Sequence, residues 1–209
     1  MTSNGTICII DDDEAVRESL RILLFAAGYQ TVQFESADAF LALEEVTELD
    51  AFLLDLRMPG TDGMELHEIL NERESRVPVI FITGHGDIPL AVSAIQKGAF
   101  DFLTKPFEEG ELLEKISAAV AEYRALQEEL GQLVRLQSCF ESLTPRERDV
   151  MLNIVGGLSN KKIANALNIS PRTVEIHRAR VMEKMEADSV ATLVRKATLL
   201  DQATGEDTD

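Results

Sequence analysis

The residues in this sequence best suited to chemistry are carboxylates, one hydroxyl and one ammonium, each at or just beyond the end of a short apolar run: Asp11, Asp12 and Asp13, then Asp55, Thr83 and Lys105. Carboxylates about 4 Å apart repel by roughly 4 kcal/mol at an effective dielectric of about 20, a cost that a hard divalent cation offsets. An all-oxygen set of this kind suits Mg²⁺. A phosphoryl group entering such a site meets the metal, the Thr83 hydroxyl as a donor and the Lys105 ammonium, which together balance charge on its oxygens. Taken singly, each residue has a plainer explanation. Asp12 and Asp13 precede a helical stretch from Glu14 and suit its cap, Thr83-Gly84 suits a turn, and Lys105 before Pro106 suits a solvated strand end. Their shared placement at successive strand ends favours the joint reading.

The elements that must position them are legible as a pattern. Apolar runs at 6–10, 30–34, 51–54, 77–82 and 99–103 read as buried strands, and amphipathic stretches near 14–27, 36–47, 63–74, 87–97 and from 108 onward read as helices. This alternation predicts an α/β fold with a doubly wound, five-stranded parallel sheet covered on both faces. In such folds the side chains that meet ligands gather beyond the C-terminal ends of the strands.

Over residues 5–122 the sequence resembles the receiver domain of two-component response regulators. The resemblance rests on Ile9-Ile10-Asp11-Asp12-Asp13, Leu54-Asp55-Leu56-Arg57-Met58-Pro59-Gly60, Ile82-Thr83-Gly84 and Phe102-Leu103-Thr104-Lys105-Pro106-Phe107, in that order. It implies a flavodoxin-like fold in which Asp55 accepts a phosphoryl group from the phosphohistidine of a sensor histidine kinase. Mg²⁺ is then held by Asp11, Asp12, Asp55 and the backbone carbonyl of Arg57. Thr83 and Lys105 stabilise the phosphoryl group, and Phe102 turns inward behind Thr83 as a switch, where simple core filling is the alternative. The resemblance also implies a cis peptide before Pro106. Asp13 lies outside the family's acidic pair and is read as supporting charge.

Composition bounds the rest. The 209 residues are 45% hydrophobic and 27% charged, in keeping with a globular protein of one or two domains. The net charge of −17 makes the whole molecule repel nucleic acids and anionic membranes, so any such binding is local. Residues 1–122 hold 8 basic and 24 acidic side chains, whereas residues 143–200 hold 10 basic and 6 acidic ones, which points to the C-terminal part as the contact for an anion. Cys8 and Cys139 form neither a disulfide framework nor a zinc spacing, and no leader or membrane span is recognisable. A cytoplasmic protein without membrane contact is expected.

Apolar residues at Leu112, Ile116, Ala119, Tyr123, Leu126, Leu130, Leu133 and Phe140 form a heptad seam, interrupted at Gln137, along a long helical linker over 123–142. The last receiver helix explains its first half equally well; the second half suits pairing with another copy. Gly131 is its weak point, since glycine inside a helix costs about 1 kcal/mol relative to alanine. Beyond it, Thr144 with Pro145 and Glu147 reads as a capped helix start, and Gly156-Gly157 as its end. Helices at 160–167, 171–185 and 190–200 complete a small all-α, four-helix domain over 143–200, with a helix-turn-helix around Asn168-Ile169-Ser170. Val174, His177, Val181 and Met185 should face inward. Residues 201–209 read as a disordered acidic tail.

Residues 143–200 resemble the LuxR-type helix-turn-helix domain, in Leu143-Thr144-Pro145-Arg146-Glu147, Gly157-Leu158-Ser159-Asn160-Lys161, Ile163-Ala164 and Ser170-Pro171-Arg172-Thr173-Val174-Glu175-Ile176-His177. The whole chain thus resembles the NarL/FixJ class, and Thr83-Gly84-His85-Gly86-Asp87 and Pro171-Arg172-Thr173-Val174-Glu175 place it nearest the FixJ members. Many LuxR-type helices carry a basic residue where this one has Glu175, so their base preference does not transfer. The resemblance implies that the helix from Pro171 enters the major groove of promoter DNA, with Glu175, Ile176 and Ala179 near the bases. Lys161, Lys162, Arg172, Arg178 and Arg180 suit phosphates, and Thr173 belongs to the same surface. Together these readings describe a transcription regulator rather than an enzyme, catalysing only its own phosphoryl transfer and dephosphorylation, a homodimer when phosphorylated or on DNA, with RNA polymerase as a further partner. The rivals are a phosphate-relay carrier without DNA affinity and a constitutive DNA-binding protein.

Overall fold

The computed structural model describes residues 3–43, 48–84 and 88–204, without the side chains of 88, 91 and 204. The chain divides into two compact units, Met1–Leu126 and Gln127–Asp209. The first alternates strand and helix: β1 (Thr6–Ile10), α1 (Glu14–Ala26), β2 (Gln30–Phe34), α2 (Ala37–Leu41), β3 (Ala51–Asp55), α3 (Gly63–Glu72), β4 (Val79–Thr83), α4 (Ile88–Gln96), β5 (Asp101–Thr104) and the start of α5 (Glu109–Glu141). All strand pairs are parallel, in the order β2-β1-β3-β4-β5.

The continuous apolar runs follow from burial on both faces. Cys8, Ile10, Phe52, Leu54, Val79 and Phe81 enter one core layer, and their neighbours Ile7, Ile9, Ala51, Leu53, Ile80 and Ile82 enter the other. The strand order reverses at the crevice between β1 and β3, where side chains beyond the strand ends from both halves meet. Local chemistry fixes the helix starts that border this crevice. Asp13 caps α1, accepting from the Ala15 and Val16 amides, and Asp62 with Glu65 forms a capping box on α3. Asp13 is therefore committed to the helix rather than acting as free supporting charge.

The second unit holds the remainder of α5, then α6 (Pro145–Val155), α7 (Asn160–Leu167), α8 (Pro171–Lys184) and α9 (Val190–Thr204). Thr144 and Glu147 make the expected capping box on α6, with Pro145 in its first turn. Asn168 ends α7 in the left-handed region at φ 55°, and Ser170 caps α8, which gives the tight helix-turn-helix corner. Val174, Val181 and Met185 are buried, and His177 is half-buried. One expectation shifts and one gains detail. α9 runs on to Thr204, into the stretch read as a disordered tail, anchored by the buried Leu200. In α5, Leu136 packs into the second unit's core with Cys139 and Phe140, whereas Leu126 of the heptad seam is 36% exposed. Among the described residues, no helix is long and apolar enough to cross a membrane.

Candidate functional site

The C-terminal edge of the sheet collects the chemistry. Asp11 follows β1, Asp55 ends β3, Thr83 ends β4 and Lys105 follows β5. Asp11 and Thr83 are buried, while Asp12 is exposed at the mouth. One carboxylate oxygen from each of Asp11, Asp12 and Asp55 lies within 4.8 Å of the others. The Lys105 ammonium donates to Asp11 Oδ2 at 2.8 Å and reaches Asp55 Oδ2 at 3.5 Å. Backbone bonds hold these groups in place: Lys105 N–H donates to Thr83 O at 2.7 Å, and the Arg17 guanidinium donates to Asp11 O at 2.7 Å. Asp11 Oδ1 accepts the Asp13 amide at 2.9 Å.

Burial raises the Asp55 carboxyl above its usual range; Lys105 and the backbone amide of Arg57 oppose this, and Asp11 adds to it. Burial works against the Lys105 charge, yet Asp11 and Asp55 outweigh it and hold that ammonium above the ordinary lysine range. One ammonium thus serves two buried or half-buried carboxylates, with a third at the rim. The hard-oxygen donor set suits a divalent cation such as Mg²⁺.

Thr83 Oγ1 lies 3.3 Å from the Gly84 carbonyl, so its hydroxyl is turned toward its own loop. Phe102 is half-buried against the core layer that contains Phe81. The peptide between Lys105 and Pro106 is cis. The stretch His85-Gly86-Asp87 lies outside the described residues.

In the second unit, Arg172, Glu175, Ile176, Ala179 and Arg180 are exposed along α8, and Lys161 and Lys162 are exposed on α7. Ile176 is 49% exposed in a helix that buries Val174 and Val181 completely, so its apolar side chain is presented outward. Thr173 and Arg178 stand apart from this set. The Thr173 hydroxyl pairs with Ser170 Oγ at 2.8 Å within the cap, and Arg178 is half-buried with a 3.4 Å contact to Asn160 Oδ1 that ties α8 to α7.

Sequence reasoning missed the depth of Glu147. Its side chain is buried and accepts from the Thr144 amide at 2.9 Å and from Lys184 Nζ at 2.7 Å, which also donates to Ser142 O. The hydrogen bond from Lys184, then that from Thr144, hold this carboxyl at a pKa of about 2. The capping motif was visible in sequence, but the lysine at the far end of α8 had no local signal.

Comparison with known proteins covers both units. Residues 7–117 match the family described as "Response regulator receiver domain", and residues 141–197 match "Bacterial regulatory proteins, luxR family". The chain is 46% identical over 199 residues to the transcriptional regulatory protein FixJ of Bradyrhizobium diazoefficiens, covering 94% of this chain and 96% of that one. It is 41% identical over 194 residues to the tetrathionate response regulatory protein TtrR of Salmonella typhimurium, covering 92% and 91%. Among solved structures, it is similar to the response regulator StyR, with a TM-score of 0.85 and 40% identity over 92% of this chain and 98% of that one. It is also similar to full-length FixJ from B. japonicum, with a TM-score of 0.61 and 44% identity over 96% and 99%.

Proposed function

The chain belongs to the response regulators of two-component systems that carry a LuxR-type DNA-binding domain, and from that premise we propose that Asp55 is its phosphoacceptor and promoter DNA its target. The observation that carries this reading is the convergence of Asp11, Asp12, Asp55 and Lys105 beyond the strand ends. A sensor histidine kinase supplies the phosphoryl group. An Asp55 carboxylate oxygen attacks phosphorus in line, the bond to the donor's imidazole nitrogen breaks, and the product is an acyl phosphate. When bound by Asp11, Asp12, Asp55 and the Arg57 carbonyl, Mg²⁺ supplies positive charge that the single ammonium does not. Lys105 exchanges part of its contact with the carboxylates for a phosphoryl oxygen. Thr83 leaves the Gly84 carbonyl to donate to another phosphoryl oxygen, and Phe102 follows inward.

The output is DNA binding by residues 143–200, with 1–122 as receiver and 123–142 as linker. Glu175 accepts from a cytosine amino group and Ile176 packs on a thymine methyl group, with Ala179 beside them. Lys161, Lys162, Arg172 and Arg180 lie on phosphates and set orientation. Thr173 and Arg178 support this surface, Arg178 reaching phosphate only by loosening its contact with Asn160. Phosphorylation favours a paired state, so two copies occupy adjacent half-sites about one helical turn apart, in the cytoplasm and within reach of RNA polymerase. Binding-site selection from random duplexes, with and without a small acyl phosphate and Mg²⁺, tests this. The expected result is enrichment of a paired site with phosphodonor, weak enrichment without it and none gained by Asp55→Asn. Equal enrichment in all three would overturn the switch, and the absence of any salt-sensitive DNA affinity would favour the relay alternative.

A further inference from the structure

We propose that Gly63 is a positioning residue for the phosphoryl site: because it lacks a side chain, the start of α3 rests on the Asp55 peptide and sets where that carboxylate and the Arg57 carbonyl stand. The proposal rests on the reading of Asp55 as acceptor. Gly63 is the first residue of α3 and is buried. Its amide donates to the Leu56 carbonyl at 3.1 Å, so the helix start and the end of β3 are joined directly. A Cβ added at Gly63 would overlap the Asp55 carbonyl oxygen and lie 3.0 Å from Leu56 Cα and 3.1 Å from Asp55 C. Every one of these atoms is backbone, so no side-chain rotation relieves the overlap.

Conformation is not the reason for glycine here, because Gly63 is absent from the positive-φ glycines, unlike Gly60 at φ 79°. The requirement is space alone. Alanine at this position has to push either α3 or the Asp55–Leu56 peptide, and the carboxylate moves with its own backbone. α3 has independent anchors in the Asp62–Glu65 capping box and in Leu66 and Leu70, both buried. The helix itself tolerates alanine, a better helix former than glycine. On the other side, the Leu56 amide is held to Ile82 O only by a long 3.3 Å bond, so the strain reaches the strand end that carries Asp55. A misplacement of about 1 Å at a reacting centre costs about 100-fold in rate, and displaced metal-site geometry costs about tenfold or more in metal affinity.

The test compares Gly63→Ala with Gly110→Ala in the full chain, since a Cβ at Gly110 meets nothing within 4 Å. Calorimetry with Mg²⁺ alone reads the metal site, and time-resolved intact mass with a small acyl phosphate reads the transfer. For Gly63→Ala we expect Mg²⁺ affinity lower by about tenfold or more and transfer slower by about 100-fold, with whatever label forms still mapping to Asp55; Gly110→Ala should match the unaltered chain. If Gly63→Ala is partly unfolded, urea melts at several Mg²⁺ concentrations give the affinity of its folded fraction. Unchanged Mg²⁺ affinity and transfer rate overturn the proposal. A variant that never folds, with or without Mg²⁺, assigns Gly63 to the fold and overturns the positioning role as well. Full labelling of Asp55→Asn sinks the acceptor reading instead, and is told apart from a failure of Gly63 because the calorimetric comparison does not depend on the label.

Discussion

Each unit of this protein sets a carboxylate against a lysine, and the two pairs are built to opposite ends. In the first unit, burial and the neighbouring Asp11 raise the Asp55 carboxyl even though Lys105 stands 3.5 Å away. In the second, Glu147 shares Lys184 with no other carboxylate, only with the Ser142 carbonyl, takes the Thr144 amide as well, and is held at about 2. One ammonium divided among clustered carboxylates leaves a deficit of positive charge, which is a site. One ammonium and one amide given to a single carboxylate leave none, which is a structural joint. The same residue types thus yield reactivity or stability according to how completely each charge is matched.

Substitutions at the two carboxylates sharpen that contrast. Asp55→Asn should abolish labelling by an acyl phosphate, read as intact mass, while leaving the thermal unfolding of the chain intact or raised, because it removes an under-matched charge. Glu147→Ala should do the reverse, labelling normally but destabilising the second unit by about 1–3 kcal/mol in urea melts, since it leaves Lys184 without its carboxylate and removes half of a capping box. If Glu147→Ala unfolds no more easily than the unaltered chain, the structural assignment of that pair is wrong.

Acidity separates the units too. The Glu147 carboxyl titrates at about 2 when folded against an ordinary value of 4.5, so its contribution is fully present above about pH 4.5 and is lost as pH falls toward 2. Unfolding of the second unit followed from pH 6 to pH 2 should show that loss, and Glu147→Gln should flatten it.

Smaller effects come from a surface residue and a core one. Arg172→Ala should lower DNA affinity a few-fold at every sequence and reduce the salt slope by about one, as for a phosphate contact; a change confined to one base position would mark it as a base reader instead. His67 is buried edge-on to Phe81, 5.6 Å between ring centroids. Burial lowers its pKa below 6.5, with Glu68 opposing and Lys97 assisting. The unfolded chain therefore binds a proton that the folded one resists, and first-unit stability should decline as pH drops below about 6.5. His67→Gln should remove that slope, and a slope that persists would place its origin elsewhere.

The sheet was readable because burial on both faces makes strands such as Val79–Thr83 continuous apolar runs, and the candidate site because its members sit one by one at strand ends. What stayed hidden depends on the third dimension. Asp13 satisfied two sequence readings until its carboxylate was seen to take the Ala15 and Val16 amides. Leu136 escaped because a strict heptad was carried past the point where α5 packs on its own unit with Cys139 and Phe140. The contact of Arg178 with Asn160, eighteen residues away, likewise had no local signal. Lys184 reaches Glu147 across 37 residues, and the close approach of Gly63 to the Asp55 backbone exists only once α3 has docked.

The central claim is that the under-matched carboxylate cluster is the input and the α8 surface the output. It is tested most directly by measuring, in one sample of the full chain, the fraction phosphorylated on Asp55 and the affinity for a selected DNA site as acyl phosphate and Mg²⁺ are titrated in. The account predicts that affinity rises in proportion to the labelled fraction and stays flat for Asp55→Asn. Affinity that stays constant while Asp55 becomes fully labelled would contradict it.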